Sequence, residues 1–416
     1  MQRKDSRISG FYEKAIEERQ EIVKEFAGLS EEEAAQLKNF GALGKERAQQ
    51  MIENVVAGFE LPMGIATNFY INGEPKLIPM VLEEPSVVAA ASNAAKLSEG
   101  FETSSSEPIM IGQIQMVKVK NAGKAVKAIK KKEKELIEKA MAVDSTLVKF
   151  GGGPRKIEAR AIKGMLIVHL LVDVRDAMGA NAVNTMCERI SPVLEEITGG
   201  KARLRILSNL AVHRTAKAKA VWKKEKIGGE AIEAILDAYK FAAADQFRAT
   251  THNKGIMNGV DAVAIATGND FRAVEAGAHS FAAYKKKYSP LTKFYKNKSG
   301  DLVGEIELPL AVGTVGGATK THPTAKIAVK ILGVKGAQEL AEIMAAVGLA
   351  NNFAAMRALA TEGIQRGHMK LHAKNIAIQA GAEGTRVEEI AKQLAEEKNI
   401  NVGRAKEIIE GKKTKS

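Results

Sequence analysis

The chain carries one cysteine, Cys187, so an internal disulfide is excluded and a reducing cytoplasm is the expected compartment. No run reaches the roughly 18 apolar residues that a bilayer span needs. No apolar stretch follows Met1-Gln2-Arg3-Lys4-Asp5, as a secretory signal would require, so neither export nor a membrane partner is expected. Aromatic residues make up only 5%, which favours tight helix packing over aromatic-rich binding surfaces. A G-x-G-x-x-G fingerprint with an acid about twenty residues on is missing, which excludes a Rossmann site. The stretch Gly313–Thr321 approaches a phosphate loop but fails, because Thr319 rather than glycine precedes Lys320.

What is present is an ordinary globular balance, 45% hydrophobic and 27% charged, over 416 residues, enough for two or three compact units. The formal charge of +13 admits nucleic acid, an anionic membrane or a phosphate-rich small molecule as partner. With no aromatic RNA-binding motif and no zinc-finger spacing, no nucleic-acid partner is expected. Much of the excess charge sits in Lys124–Lys139, where Val126, Ile129, Leu136 and Ile137 form an apolar stripe. That pattern reads as a solvated amphipathic helix or as an electrostatic funnel for an anionic ligand.

In chain order, Ser30 and Glu33 form a capping box that starts a short helix. Strands over 64–71 and 76–82 flank the Asn72-Gly73 turn, a hairpin signal. Glu83-Glu84-Pro85-Ser86 then passes from strand to helix, with Pro85 suited to the first helical turn. Acids there complement the helix dipole or, facing a cleft, donate a proton. From Ile109 strands interleave with two helices for about a hundred residues, and Met165–Val174 is apolar enough to be a central buried strand. Asp176 reads as the N-cap of the next helix, with Gly179 allowing a phosphate close to its free amides. After Gly228-Gly229 the pattern is mostly helical. His368 and His372 are four apart, but Met369 stands where a metalloprotease needs glutamate, and no third ligand follows, so no metal is expected. A general-acid histidine on a mobile segment and a plain surface histidine both remain open for His368.

Thr251-His252-Asn253-Lys254-Gly255-Ile256-Met257-Asn258-Gly259, running on to Gly268-Asn269-Asp270, sets one lysine among small and amide residues. It reads either as a surface lysine in a Gly/Asn turn or as a cation held at a fixed point to stabilise an oxyanion.

Glu84-Pro85-Ser86, DAMGANAVNT, THNKGIMNG with ATGND, VGTVGGATKTHP and GIQRGHM occur in one chain in this order. Together they resemble hydroxymethylglutaryl-CoA reductase (HMG-CoA reductase) of the soluble class II type, over nearly the whole chain. The resemblance implies an α+β fold. A large, mostly helical substrate domain (1–108 and 211–362) would carry an inserted small ferredoxin-like, non-Rossmann cofactor domain (109–210) and a C-terminal flap (363–416). It implies HMG-CoA, mevalonate and CoA as ligands and a homodimer with active sites at the interface, which could build a hexamer as a trimer of dimers. By position, the catalytic set is Glu84, Lys254, Asp270 and His368.

In the chemistry this implies, Lys254 stabilises the thioester oxygen as it becomes anionic, with Asp270 as its electrostatic partner. His368 protonates the departing CoA thiolate, and Glu84 protonates the final alkoxide. The cofactor positions are Asp144, Asp176, Met178, Gly179, Asn181, Asn184 and Asn209. An acid at 144 accepts from a ribose 2′-hydroxyl and repels a 2′-phosphate, so NADH is expected ahead of NADPH. Lys139 and Lys149 leave NADPH possible. Glu53, Ser86, Arg248, Asn258 and Asn351 match substrate positions. Two departures bear on fine substrate contacts: Ala57 replaces a usual glycine, and Asn351 stands where some relatives carry glutamine. Physiological direction, mevalonate synthesis or mevalonate oxidation, stays open. A basic scaffold with a decayed enzyme fold is disfavoured, because all four catalytic positions carry the right residue types.

Overall fold

The computed structural model describes residues 10–284, 287–361, 373–397 and 399–411. Among the described residues, ten strands build two sheets. β1 (Met63–Ile71) and β2 (Glu74–Val81) form the expected hairpin, with Asn72 and Gly73 both at positive φ (49° and 83°), as a tight two-residue turn requires. β3 (Ser98–Ser105), β8 (Thr215–Trp222), β9 (Thr292–Lys296) and β10 (Leu302–Pro309) complete a six-stranded sheet in the order β2-β1-β3-β8-β10-β9. The body read as mostly helical therefore has a sheet through it. Neither the polar β3 (SEGFETSS) nor β8 (TAKAKAVW) has the β-branched composition that announces a strand.

β4 (Ile109–Val117), β5 (Gly153–Ile162), β6 (Met165–Asp173) and β7 (Lys201–Ser208) form a second, antiparallel sheet in the order β5-β6-β4-β7, the ferredoxin-like arrangement. β6 is internal, and its apolar run buries Leu166, Val168, Leu170 and Val172. The lysine-rich stretch is two helices, Ala122–Lys131 and Glu133–Met141, broken at Lys132. Both pack with Ala180–Thr198 around a separate apolar cluster.

Two long helices cross against the larger sheet. The central helix, Gln246–Ala266, is continuous through the Lys254 stretch, so the Gly/Asn-turn reading is wrong. The long helix, Ala337–Ala360, passes for a bilayer span by length and composition, but it is a core helix, with two-thirds of its most apolar window buried. Close approach depends on glycine. A Cβ on Gly259 would stand 2.5 Å from Asn351 Oδ1 and 3.0 Å from Val347 O, and one on Gly348 would stand 2.9 Å from Val260 Cγ2. Trp222 stacks on Phe353 with centroids 4.0 Å apart and donates to Ala94 O at 3.0 Å, fixing the long helix to the sheet. Residues from Ala373 to Ile409 make a small helical cluster of their own. His368, His372 and the rest of 363–372, where the expected flap begins, lie outside the described residues.

Candidate active site

The loop leaving β2 and the central helix meet at one ion pair: Lys254 Nζ donates to Glu84 Oε2 at 2.8 Å. The two side chains are 59% and 37% exposed, so the pair adds little to stability. Its backbone supports are firm. Pro85 and Ser86 precede the helix Val87–Leu97, so Pro85 is not in its first turn as expected; Ser86, in the left-handed region at φ 77°, is the N-cap. Asn351 donates to Val87 O at 3.1 Å, one residue beyond that strained Ser86. Ser86 Oγ and Asn351 Oδ1 are buried with no hydrogen-bond partner among the described residues.

On the other side of the pair, Asn253 accepts from Leu291 N and donates to Ser289 O. His252 is held by Thr292, whose hydroxyl donates to Asn352 Oδ1. The Asn352 amide nitrogen donates to His252 O, so the hydroxyl proton is already committed. The His252 ring must then donate from Nε2, leaving Nδ1 bare. Burial, helped by the Arg248 charge, pulls the His252 pKa down to about 3, so the ring is neutral. Lys254 thus projects from a helix turn whose two preceding residues are locked.

A second feature is a cleft of about 730 Å³ between the two sheets' bodies. Asp144, Met178, Gly179 and Asn181, four of the positions that the resemblance gives to the cofactor, line it together with Asp270. Gly179 is the N-cap of the helix Ala180–Thr198 at φ 96°, and a Cβ there would lie 2.5 Å from Val174 Cγ1. Only glycine fits, and free helix-terminal amides follow it. Asp144 caps the short helix Ser145–Lys149 by accepting from Leu147 N at 2.9 Å. The opposite wall is the glycine-rich segment Gly313–Thr319, set aside in the sequence for failing the phosphate-loop pattern. Its Gly313 admits the backbone of the facing wall, where a Cβ would stand 2.7 Å from Met178 N.

Other expected site residues lie elsewhere. Asp176 is not the cap of Ala180–Thr198. Its Oδ1 accepts from Ala337 N at 2.8 Å and so caps the long helix, 161 residues away. Asn184 accepts from Leu207 N, tying that helix to β7, and Asn209 is exposed beyond β7. Arg248 and Asn258 share the central helix with Lys254, and both are partly buried. Glu53 is exposed on the segment after the helix Lys45–Met51.

Asp270 caps Phe271–Ala283 and pairs with Arg272 at 2.9 Å. Asn269, its neighbour, donates to Ala264 O, ten residues beyond Lys254 on the central helix. That is roughly 15 Å of helix axis at 1.5 Å per residue. The carboxylate partner of Lys254 in this chain is therefore Glu84, not Asp270.

The cleft that opens on a glycine-capped helix start thus lies apart from the lysine–carboxylate pair, in a fold that is not Rossmann. Solved structures of class II 3-hydroxy-3-methylglutaryl-CoA reductase from Streptococcus pneumoniae share this architecture. One, bound to NADPH in open conformations, is 41% identical with a TM-score of 0.75 over 96% of this chain and 99% of that one. The sequence-family model for hydroxymethylglutaryl-coenzyme A reductase matches residues 15–373. The 3-hydroxy-3-methylglutaryl-coenzyme A reductase of Archaeoglobus fulgidus is 58% identical over 97% of this chain and 94% of its own length. A probable reductase of Borreliella burgdorferi is 38% identical over 88% and 85%. The chain belongs to the hydroxymethylglutaryl-coenzyme A reductase family, NAD(P)H-dependent oxidoreductases that reduce HMG-CoA to mevalonate.

Proposed function

We propose that this chain reduces (S)-HMG-CoA to (R)-mevalonate and CoA through the Lys254–Glu84 pair, the observation that carries the reading. Reduced nicotinamide, when bound, supplies hydride, and two hydrides take a thioester to an alcohol. Lys254 holds the carbonyl oxygen as charge develops on it, from a helix position that needs no reorganisation. Glu84, within hydrogen-bond reach of Lys254, gives the alkoxide oxygen its proton from its carboxylic-acid form, having first taken that proton up from solvent, and returns to the carboxylate that pairs with Lys254. His368 protonates the CoA thiolate. Ser86 Oγ, buried and without a partner among the described residues, offers a polar group beside the pair for the acyl portion, and Arg248 a cation for its terminal carboxylate. Asn351, bonded to Val87 O and 5% exposed, acts by holding the Glu84 loop.

The cleft between residues 177–181 and 313–319 takes the nicotinamide dinucleotide. The fit is supported by Gly179, whose side-chain position is closed by Val174, and by the helix amides behind it. Asp144 on its rim favours NADH over NADPH, although the S. pneumoniae relative was solved with NADPH. Residues 109–210 act as the cofactor domain, 1–108 with 211–362 as the acyl-CoA domain, and 363–416 as the flap, in a cytoplasmic enzyme.

The pairing of Lys254 with Glu84, and of Asp270 with Arg272 beyond the far end of the central helix, supports a composite site completed by a second copy. Absorbance at the nicotinamide band with HMG-CoA and NADH or NADPH tests the reaction. Lys254→Met and Glu84→Gln should each lose at least roughly 100-fold in kcat. Full activity in Glu84→Gln removes it from the mechanism. Co-assembled Lys254→Met and Asp270→Asn chains should regain activity, since one site per mixed dimer is then intact; no recovery places both residues in one chain's site.

A further inference from the structure

We infer that Arg214 is a positioning residue of the nicotinamide cleft, a buried guanidinium that holds its two walls at a fixed spacing. The inference rests on the reading of that cleft as the dinucleotide site. Arg214 immediately precedes β8 and is 5% exposed. Its Nη1 donates to Ala177 O at 3.0 Å and to Met178 O at 3.2 Å, on one wall. Its Nη2 donates to Val312 O at 2.5 Å, at the root of the other. Backbone contacts confirm that the walls meet there. Thr314 N donates to Asp176 O at 2.9 Å, and a Cβ on Gly313 would sit 2.7 Å from Met178 N.

Burying a cation away from a hydrogen-bonded carboxylate is costly, so its surroundings must supply partners of another kind. Here they are three main-chain carbonyls, from segments 36 and 37 residues away on one side and 98 on the other. Asp176 and Asp173 add charge attraction, and although burial pulls the Arg214 pKa down to about 10 it stays charged at neutral pH. The planar fork of five N–H donors suits this task, whereas a lysine offers one nitrogen that cannot reach both walls. The peptide bonds are trans. With the Met178 carbonyl turned toward Arg214, the Gly179 N–H points away from it, and Gly179 lines the cleft. Arg214 therefore sets the direction of a donor that a ligand meets, without touching the ligand.

The test uses the full chain as its native assembly, with steady-state kinetics and a fluorescence titration of NADH and NADPH. Arg214→Lys and Arg214→Met should raise the cofactor KM and Kd about tenfold or more, the worth of hydrogen bonds to a charged group. The HMG-CoA KM should change by less than about twofold, with lysine no better than partial rescue. Asn181→Ala, a cleft-lining change, separates the two readings. If it leaves cofactor KM and Kd unchanged, the cleft assignment fails. If it weakens cofactor while both Arg214 variants bind normally, only the Arg214 inference fails. Equal rises in both KM values, or an Arg214→Lys chain that does not fold, also overturn it, since the residue is then part of the core alone.

Discussion

Replacing single glycines of the central helix with alanine separates helix propensity from helix crossing. At Gly255 the nearest atom to a new Cβ is Ala355 Cβ at 3.7 Å, an ordinary contact. Gly255→Ala should therefore stabilise by about 0.5–1 kcal/mol, through propensity and reduced unfolded-state freedom. Gly259→Ala gains the same amount, but its Cβ would meet Asn351 Oδ1 at 2.5 Å and Val347 O at 3.0 Å. The Val347 carbonyl belongs to a helix backbone that cannot step aside, and overpacking of this kind costs about 1–3 kcal/mol. Pushing Asn351 away also strains its bond to Val87 O, a further ~1 kcal/mol. Because the propensity gain cancels between the two variants, Gly259→Ala should be less stable than Gly255→Ala by about 2–4 kcal/mol. Denaturant midpoints measured side by side on the intact protein read this difference. Activity should fall with Gly259→Ala as well, since Val87 follows the Glu84 loop. Equal midpoints would refute the claim that backbone contact at Gly259 sets the crossing.

Two further outcomes follow from single carboxylates. Asp144→Ser keeps an N-cap oxygen for Leu147 but removes the negative charge, so kcat/KM should shift toward NADPH by about tenfold, or ~1.4 kcal/mol. An unchanged ratio would mean that Asp144 does not face the ribose. Asp261, on the central helix, is pushed up to about 8 by burial and by hydrogen bonding and repulsion from Glu275. Its native pKa exceeds the unfolded value near 3.8, so the native state holds its proton where the unfolded state releases it. Its contribution is full below about pH 4 and is lost as pH rises toward 8. Asp261→Asn should flatten that slope, seen as unfolding midpoints that fall less between pH 5 and roughly 8; an unchanged slope would place the titration elsewhere.

The hairpin at Asn72-Gly73 and the Ser30–Glu33 capping box were legible because each is specified by residues within a few positions of one another. The central helix was not, because Asn253, Gly255, Asn258 and Gly259 are poor helix formers. Tertiary partners overrule that preference: Leu291 and Ser289 take up Asn253, and Gly259 is filled by the neighbouring helix. Asp176 looked like a local cap and serves a helix that begins at Ala337, a pairing invisible to any short window. The motifs singled out Glu84, Lys254 and Asp270, but the pairing of Lys254 with Glu84 rather than Asp270 was not among the sequence expectations. The distance from Lys254 to Asp270 was hidden, since it depends on the helix that the intervening residues conceal.

The cap on the long helix joins two parts of the molecule mechanically. Asp176 grips the helix at Ala337, and fourteen residues on, roughly 21 Å along the axis, Asn351 grips Val87 beside the Glu84 loop. The segment that leads into the cleft and the loop that carries Glu84 thus hang from one rod. The position of the Asp176 turn and the position of the Val87 turn are therefore fixed against the same backbone, two holds on a single helix.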